Sequence, residues 1–453
     1  MNKKKQSNLI SYIIISFVIF AIYFVYSSSY FEREAPIIDT PDITHWNLKW
    51  DIPIYIKDSS GIKRYKVSLK IGNENEKIVL DKNNVASKVV NFTLPYPKQN
   101  IPHGSVLHYK IEATDKSNHN FFLGNSAVSE FTITIDKKNP EARIIAMSNK
   151  IMRGGSAIVI FYADDEALGN ISISNGKDSF VAFPFMKDKY YASIIPWPIY
   201  NDIFKGNIIV QDKAGNIRKS NIGFAKYYRK YGISNINLKN NFIDNKIVEL
   251  IDIAGEKTIN DFNNRVDMFR YVNEILRDRD IQNINKKILN STPDTAFDIN
   301  VFRPLKDAVI VGLFGDHRKY IVEKQHAGES YHLGLDLANV KNAPITLSND
   351  GIAVVSEELN VHGNTIVVDH GFGISSLYAH LSTSYVDEGS FLKVKTMLGK
   401  TGISGLALGD HLHFGIYIQG TPVIPTEWMD SKWLKVNILD ILNEAKTIIE
   451  SEP

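Results

Sequence analysis

Eight of the twelve histidines lie between His317 and His413. Within that stretch the spacing says more than the number. Tyr331-His-Leu-Gly-Leu-Asp-Leu337 alternates strictly, so on an extended strand His332, Gly334 and Asp336 share one face and Leu333, Leu335 and Leu337 face a core. His411-Leu-His-Phe414 repeats the device, with His411 and His413 together and Leu412 and Phe414 opposite. Two such strands side by side bring two imidazoles and a carboxylate within reach of one ion. That donor set suits zinc, and three protein ligands leave a fourth position open, which is the catalytic rather than the structural arrangement. Such an ion acidifies water and polarises a carbonyl, and a further base or donor then handles the proton and the oxyanion. Tyr378-Ala-His-Leu-Ser382 offers one, with Tyr378 and His380 expected on one face of a strand.

In order, His332-Leu-Gly-Leu-Asp336, Tyr378-Ala-His-Leu-Ser382 and His411-Leu-His413 resemble the three motifs of the lysostaphin/LytM-type zinc metallopeptidases. Leu313-Phe-Gly-Asp-His-Arg318 is similar to that family's opening strand, and Gly363-Asn-Thr-Ile-Val-Val-Asp-His-Gly371 to its central hairpin. Gly399-Lys-Thr-Gly-Ile-Ser-Gly405 and Pro422-Val-Ile-Pro-Thr-Glu-Trp428 resemble the segments around its last motif. The resemblance implies that His332, Asp336 and His413 hold one Zn2+, while His380 and His411 activate water and stabilise the tetrahedral intermediate. It also implies an open, mostly antiparallel β-sheet groove and peptidoglycan stem peptides or cross-bridges as substrate. Three positions depart from the family pattern. Asn342 and Ala379 stand where glycine is common, and asparagine tolerates the positive φ such a turn needs. Gly415 stands where many members carry an acid, which predicts a wider or differently charged groove. His317, His326, His362 and His370 read as loop or structural residues.

The elements that must position these residues follow from pattern. The expected fold is mostly β and multidomain. Residues 1–29 form a cytoplasmic tail and transmembrane helix, and 40–136 and 137–229 form two immunoglobulin-like β-sandwich modules. A helical connector at 230–300 leads to the open antiparallel β-sheet metallopeptidase domain at 301–430, and a C-terminal helix follows at 431–453. Tyr65–Ile71 and Val106–Ala113 in the first module, and Ala157–Tyr162 and Asn207–Gln211 in the second, read as strands. Asp58-Ser-Ser-Gly61 and Asp115-Lys-Ser-Asn118 supply turns, and Asp212-Lys-Ala-Gly-Asn216 parallels the second of these. Between Asn241 and Leu289 apolar residues recur at helical spacing.

Leu9 to Tyr26 is an apolar run broken only by Ser11 and Ser16 and preceded by Lys3, Lys4 and Lys5. Its length matches a bilayer span, and the basic flank keeps the N-terminus in the cytoplasm and the remainder outside. With 52 basic against 50 acidic residues there is no concentrated charge for nucleic acid, and the absence of cysteine excludes thiolate ligands and disulfides. The expected function is that of a membrane-anchored zinc endopeptidase cutting peptidoglycan cross-links, with a protein partner for the β-sandwich modules. The alternative is a catalytically silent regulator or scaffold that binds the wall and activates a separate hydrolase; zinc content and hydrolysis distinguish the two.

Overall fold

A helix, Lys3–Ser27, opens the computed structural model, which describes residues 3–96, 100–291 and 297–452. Ile10–Ser27 has a mean hydropathy of 2.2, and this is the one helix among the described residues long and apolar enough to cross a membrane. Met1 and Asn2 of the expected tail, and residues 292–296 of the expected connector, lie outside the described residues.

Contacts divide the chain into two units. The first comprises residues 1–140 with the loops 165–170 and 211–217. Its β-sheet runs in the order Ile37–Asp39, Pro53–Ile71, Val106–Asp115, Ser126–Ile135, His45–Trp46, and Lys77–Thr93 also pairs with Pro53–Ile71. Every second residue of the long strand, Ile54, Ile56 and then Val67 and Leu69, enters a core built around Trp46 and Tyr109. The expected turn Asp58–Gly61 lies inside the 19-residue strand Pro53–Ile71. Asp58 Oδ1 accepts the N–H groups of Ser60 and Gly61, and the pairing register shifts between Lys57 and Ile62. The turn chemistry therefore makes a bulge, because the pairing with Lys77–Thr93 resumes beyond it.

In the second unit, Glu141–Met147, Ser156–Asp164, Lys187–Pro196 and Phe183–Phe185 form a four-stranded antiparallel sheet. Ile158, Ile160 and Ile194 of this sheet share one hydrophobic core with Leu335, Phe414 and Trp428 from the last third of the chain. Helices between Asn240 and Ala254 and between Arg265 and Asn290, with wider π turns at Ile243–Ile247 and Tyr271–Leu276, bury Leu250, Phe269 and Val272 against Tyr320 and Val322. The C-terminal helix Asp440–Ser451, entered through a π turn at Lys435–Leu439, buries Ile441, Ala445 and Ile449 in the shared core.

An eight-stranded sheet carries the residues singled out in the sequence. Its order is Val309–Gly312, Leu335–Ala338, Leu412–Ile418, Ile374–Leu381, Gly363–Asp369, Gly351–Leu359, Phe391–Leu392, with Thr421–Val423 alongside Leu412–Ile418. Every pairing is antiparallel. One face feeds the shared core through Leu335, Leu412, Phe414 and Tyr378. On the other face, Leu377, Ala379 and Tyr417 lie beneath Ile284 and Ile288 of the helix Arg277–Asn290. Gly415, where the sequence predicts a wider or differently charged groove, is buried on this covered face. A Cβ there would meet the Tyr417 ring at 3.0 Å, and this end of the sheet is packed under the helix.

Candidate metal centre and catalytic site

Strand register brings the first group together. Leu335–Ala338 pairs with Leu412–Ile418 so that Asp336 lies opposite His413, while Leu335 opposes Phe414 and Leu337 opposes Leu412. Alternation then sends Asp336 and His413 to one face and the four apolar side chains to the other, as the sequence pattern requires. His332 arrives differently. The continuous strand expected over Tyr331–Leu337 is broken, since Gln325–Tyr331 and Leu335–Ala338 belong to different sheets and His332–Gly334 joins them. The joint needs glycine, because a Cβ on Gly334 would collide with the His413 ring.

Three atoms meet as a result. His332 Nε2 lies 2.9 Å from Asp336 Oδ1 and 3.0 Å from His413 Nδ1, and His413 Nδ1 lies 2.9 Å from Asp336 Oδ1. His332 donates Nδ1–H to the Leu313 carbonyl at 2.8 Å, so the neutral ring presents only a lone pair at Nε2. Two ring nitrogens and a carboxylate oxygen converge with too few protons to satisfy one another. All three residues are buried. Arg318 donates to the outer Asp336 oxygen, Oδ2, at 2.9 Å and fixes the carboxylate. The donor set and its spacing fit a small cation with imidazole and carboxylate preferences, zinc above others.

Burial alone would raise the Asp336 pKa, but the surrounding rings of His332, His411 and His413 hold it far below the usual carboxylate range. Burial lowers the His413 pKa to about 3, so the ring is neutral at physiological pH and available as a ligand.

His380 and His411 stand beside this centre with ring centroids 4.8 Å apart. Each donates Nδ1–H to a backbone carbonyl, His380 to Ser404 and His411 to Gly409, both at 2.8 Å, which directs Nε2 of each ring away from the backbone, that of His411 to 3.5 Å from Asp336 Oδ1. Burial pushes the His380 pKa well below 6.5 and the neighbouring His411 and His413 rings lower it further, so His380 is neutral. At His411 burial acts in the same direction, but the Asp336 carboxylate outweighs it and the pKa rises.

Tyr378 does not share the face of His380. Ile366 pairs with Tyr378 and Asn364 with Leu381, so the strand Ile374–Leu381 carries an extra residue across this interval. His380 adopts φ +64° and donates its backbone N–H to the His362 carbonyl at 2.9 Å. The bulge turns His380 to the histidine side, whereas Tyr378 is fully buried and packs on Phe414 in the core.

A cleft of about 940 Å³ contains the five residues. Tyr231, Phe242 and Phe269 from the segment before the sheet form part of its wall. His362, read from the sequence as a loop residue, also lines it. Asp280, buried on the helix Arg277–Asn290, accepts from the His362 ring at 3.0 Å and from the backbone N–H groups of Val361 and His362 at 2.7 and 3.0 Å. No local pattern flagged His362 or Arg318, because their partners are 82 and 18 residues away in sequence. His370 has a structural role, donating to the Asp350 carbonyl and meeting the Ser376 hydroxyl, and burial lowers its pKa to about 4. His326 lies exposed on the strand Gln325–Tyr331 and does not line the cleft.

Comparison with known proteins bears on the same segment. Residues 330–425 match the description "Peptidase family M23". The DD-carboxypeptidase/endopeptidase Mpg of Neisseria meningitidis serogroup B is 34% identical over 94 residues, 21% of this chain and 22% of that protein. The peptidoglycan DD-endopeptidase ShyA of Vibrio cholerae is 33% identical over 92 residues, 20% of this chain and 21% of its own. This chain therefore spans about a fifth of the length of the curated relatives it matches. A crystal structure of a peptidase M23 protein from Pseudomonas aeruginosa aligns with 62% of this chain and 95% of its own, at 17% identity and a TM-score of 0.40. By the matched segment, the C-terminal part of this chain is a peptidase family M23 domain.

Proposed function

We propose that the protein is a membrane-anchored zinc metalloendopeptidase that hydrolyses peptide cross-links of bacterial peptidoglycan outside the cytoplasmic membrane. The observation that carries this reading is the meeting of His332 Nε2, His413 Nδ1 and Asp336 Oδ1 within 3.0 Å, beside the rings of His380 and His411, whose Nδ1 atoms are tied to backbone carbonyls. His332, Asp336 and His413 hold the ion, which when bound supplies Lewis acidity toward a peptide carbonyl and acidifies water. Arg318 and the Leu313 carbonyl fix the orientation of Asp336 and His332. His380 and His411 divide the remaining work, one taking up the proton of the attacking water at Nε2 and the other holding the developing oxyanion.

The matched relatives named as endopeptidases, one of them a peptidoglycan DD-endopeptidase, support the substrate class. The apolar helix Lys3–Ser27 supports the anchor, and the β-rich segments 40–136 and 137–229 are read as immunoglobulin-like modules that meet the wall or a protein partner. The test is incubation of the full chain in detergent, zinc-loaded and chelator-treated, with isolated peptidoglycan, followed by mass analysis of released muropeptides. Zinc-dependent loss of cross-linked dimers is expected. Intact cross-links with zinc confirmed bound would refute the enzyme and favour the silent regulator.

A further inference from the structure

Asp212-Lys-Ala-Gly-Asn216 echoes an earlier turn in the sequence, and peptidase chemistry makes no use of it. The structural counterparts are closer than the sequence suggests. In the earlier copy Asn125 donates its backbone N–H to Asp115 Oδ1 at 2.8 Å, and its Nδ2 to Asp115 Oδ2 at 2.7 Å and to the Glu32 carbonyl at 2.9 Å. In the later copy Asn216 donates in the same way to Asp212 Oδ1 and Oδ2, both at 2.8 Å, and to the Asp136 carbonyl at 2.9 Å. The neighbouring loops match as well, with Lys116 N–H donating to the Gly61 carbonyl and Lys213 N–H to the Ala167 carbonyl, each at 2.8 Å.

The two copies differ where charge is concerned. In the first, the Asn125 amide oxygen meets His119 Nδ1 at 2.9 Å, and Asp58 Oδ1 accepts from Ser60 N–H, Ser60 Oγ–H and Gly61 N–H. In the second, Asp136, Asp165 and Asp212 each bring a carboxylate oxygen to within 4.8 Å of the others. Asp136 and Asp212 are buried, and Asp165 is half-buried. No lysine or arginine among the described residues ion-pairs with any of the three; Lys138 Nζ turns to Glu166, and only His103 Nδ1 approaches, 3.3 Å from Asp136 Oδ1. Asn216 is 2% exposed, and its amide, bonded to Asp212 and to the Asp136 carbonyl, lies against this cluster. Its Oδ1 has no hydrogen-bond partner among the described residues, although the equivalent oxygen of Asn125 has one.

We propose that Asp136, Asp165 and Asp212, with the Asn216 amide oxygen, form a calcium site separate from the catalytic metal centre. Carboxylate and amide oxygens without sulfur or imidazole select a hard cation. An irregular cage of protein oxygens favours calcium, which accepts about six to eight such ligands in flexible geometry, over magnesium, which demands a near-ideal octahedron and keeps several waters. Three carboxylates gathered in a buried or half-buried place without a lysine or arginine partner repel one another, and a bound divalent cation removes that repulsion. The ion then ties the Asp136 segment to the 165–170 and 211–217 loops, which pack with it in one unit.

The test uses the full chain in detergent, with Tb3+ as a luminescent stand-in for calcium. Trp50 donates Nε1–H to the Ala214 carbonyl at 2.9 Å, close enough to the Asp212 turn to sensitise it. One saturable Tb3+ site is expected, displaced by Ca2+, and about 10 mM Ca2+ should raise Tm. Asp165→Asn, conservative and half-buried, should weaken the Ca2+ response at least tenfold. Asp58→Asn in the earlier copy and His413→Ala in the catalytic centre should leave it unchanged. No displacement by Ca2+, an unaltered response in Asp165→Asn, or loss of the response in His413→Ala would overturn the site. An equal response to Mg2+ would overturn the choice of calcium.

Discussion

His380 sits at φ +64° in a strand bulge, a left-handed conformation that a side chain other than glycine or asparagine adopts at a cost. The bulge gives the ring its orientation, for on the unbroken register Ala379, opposite His413, would face the cleft and residue 380 the core. On the proposed mechanism, removing the ring takes away proton handling and leaves the three proposed ligands in place. His380→Ala should retain zinc by metal analysis while peptidoglycan cleavage falls at least ~100-fold. His413→Ala removes one of three convergent donors, and both zinc and activity should disappear. Full zinc retention in the His413 variant would refute the ligand assignment. Alternation made the pairing of Asp336 with His413 legible in the sequence, since Leu335, Leu337, Leu412 and Phe414 all demand the core. It misled at Tyr378, because an extra residue inverts a period-two pattern and leaves no local trace. Asn342, at φ +54°, was legible for a different reason, its side-chain type being one that tolerates the left-handed region.

The helix Arg277–Asn290 does more than connect segments. Ile284 and Ile288 cover one end of the catalytic sheet, and Asp280 receives five hydrogen bonds from Asn360, Val361 and His362. Asp280 is 1% exposed, and the His362 ring and backbone donors outweigh the effect of burial, so its carboxyl pKa is lowered. The His362 carbonyl in turn accepts the backbone N–H of His380, so the helix is linked to the bulge through one loop. Asp280→Ala strands these donors in a buried place, at an expected cost of about 3–5 kcal/mol. A Tm depressed to match, with catalytic turnover lowered more than zinc content, is the expected outcome. A variant with unchanged Tm would show that the loop holds itself. Helical spacing between Asn241 and Leu289 is visible in the sequence, but which face covers the sheet is not, because Ile284 and Ile288 meet Leu377 and Tyr417 only through tertiary packing. Likewise Asp58-Ser-Ser-Gly61 carries the chemistry of a turn, and only its pairing with the neighbouring strand makes it a bulge.

Across the whole molecule, the long apolar N-terminal helix was legible because composition alone defines it. The shared core of the second unit was not, because Ile158 and Phe414 come together from far apart in the chain and periodicity carries no partner information. Glu427 lies within that unit. Its carboxyl faces Gly155, where a Cβ would approach both oxygens at 2.7 Å, and it accepts only a long bond from Ser156 N–H at 3.3 Å. Burial pushes its pKa from 4.5 up to about 8, against the weaker pull of that hydrogen bond and of Arg229 and Lys150. Between these values the unfolded chain has lost the proton and the folded chain keeps it, so the folded state binds more protons and stability falls as pH rises. The loss begins near the unfolded pKa and is complete above about 8. The ceiling for so large a displacement is roughly 5 kcal/mol, and partial exposure of the side chain reduces the expectation to about 2–3 kcal/mol. Glu427→Gln keeps an acceptor for Ser156 without the titration. Its Tm should match the parent near pH 5 and exceed it near pH 8, with activity-independent unfolding of the zinc-loaded chain as the measurement. Parallel Tm curves for the two proteins across that range would mean that Glu427 ionises freely in the folded state, with water reaching its carboxyl.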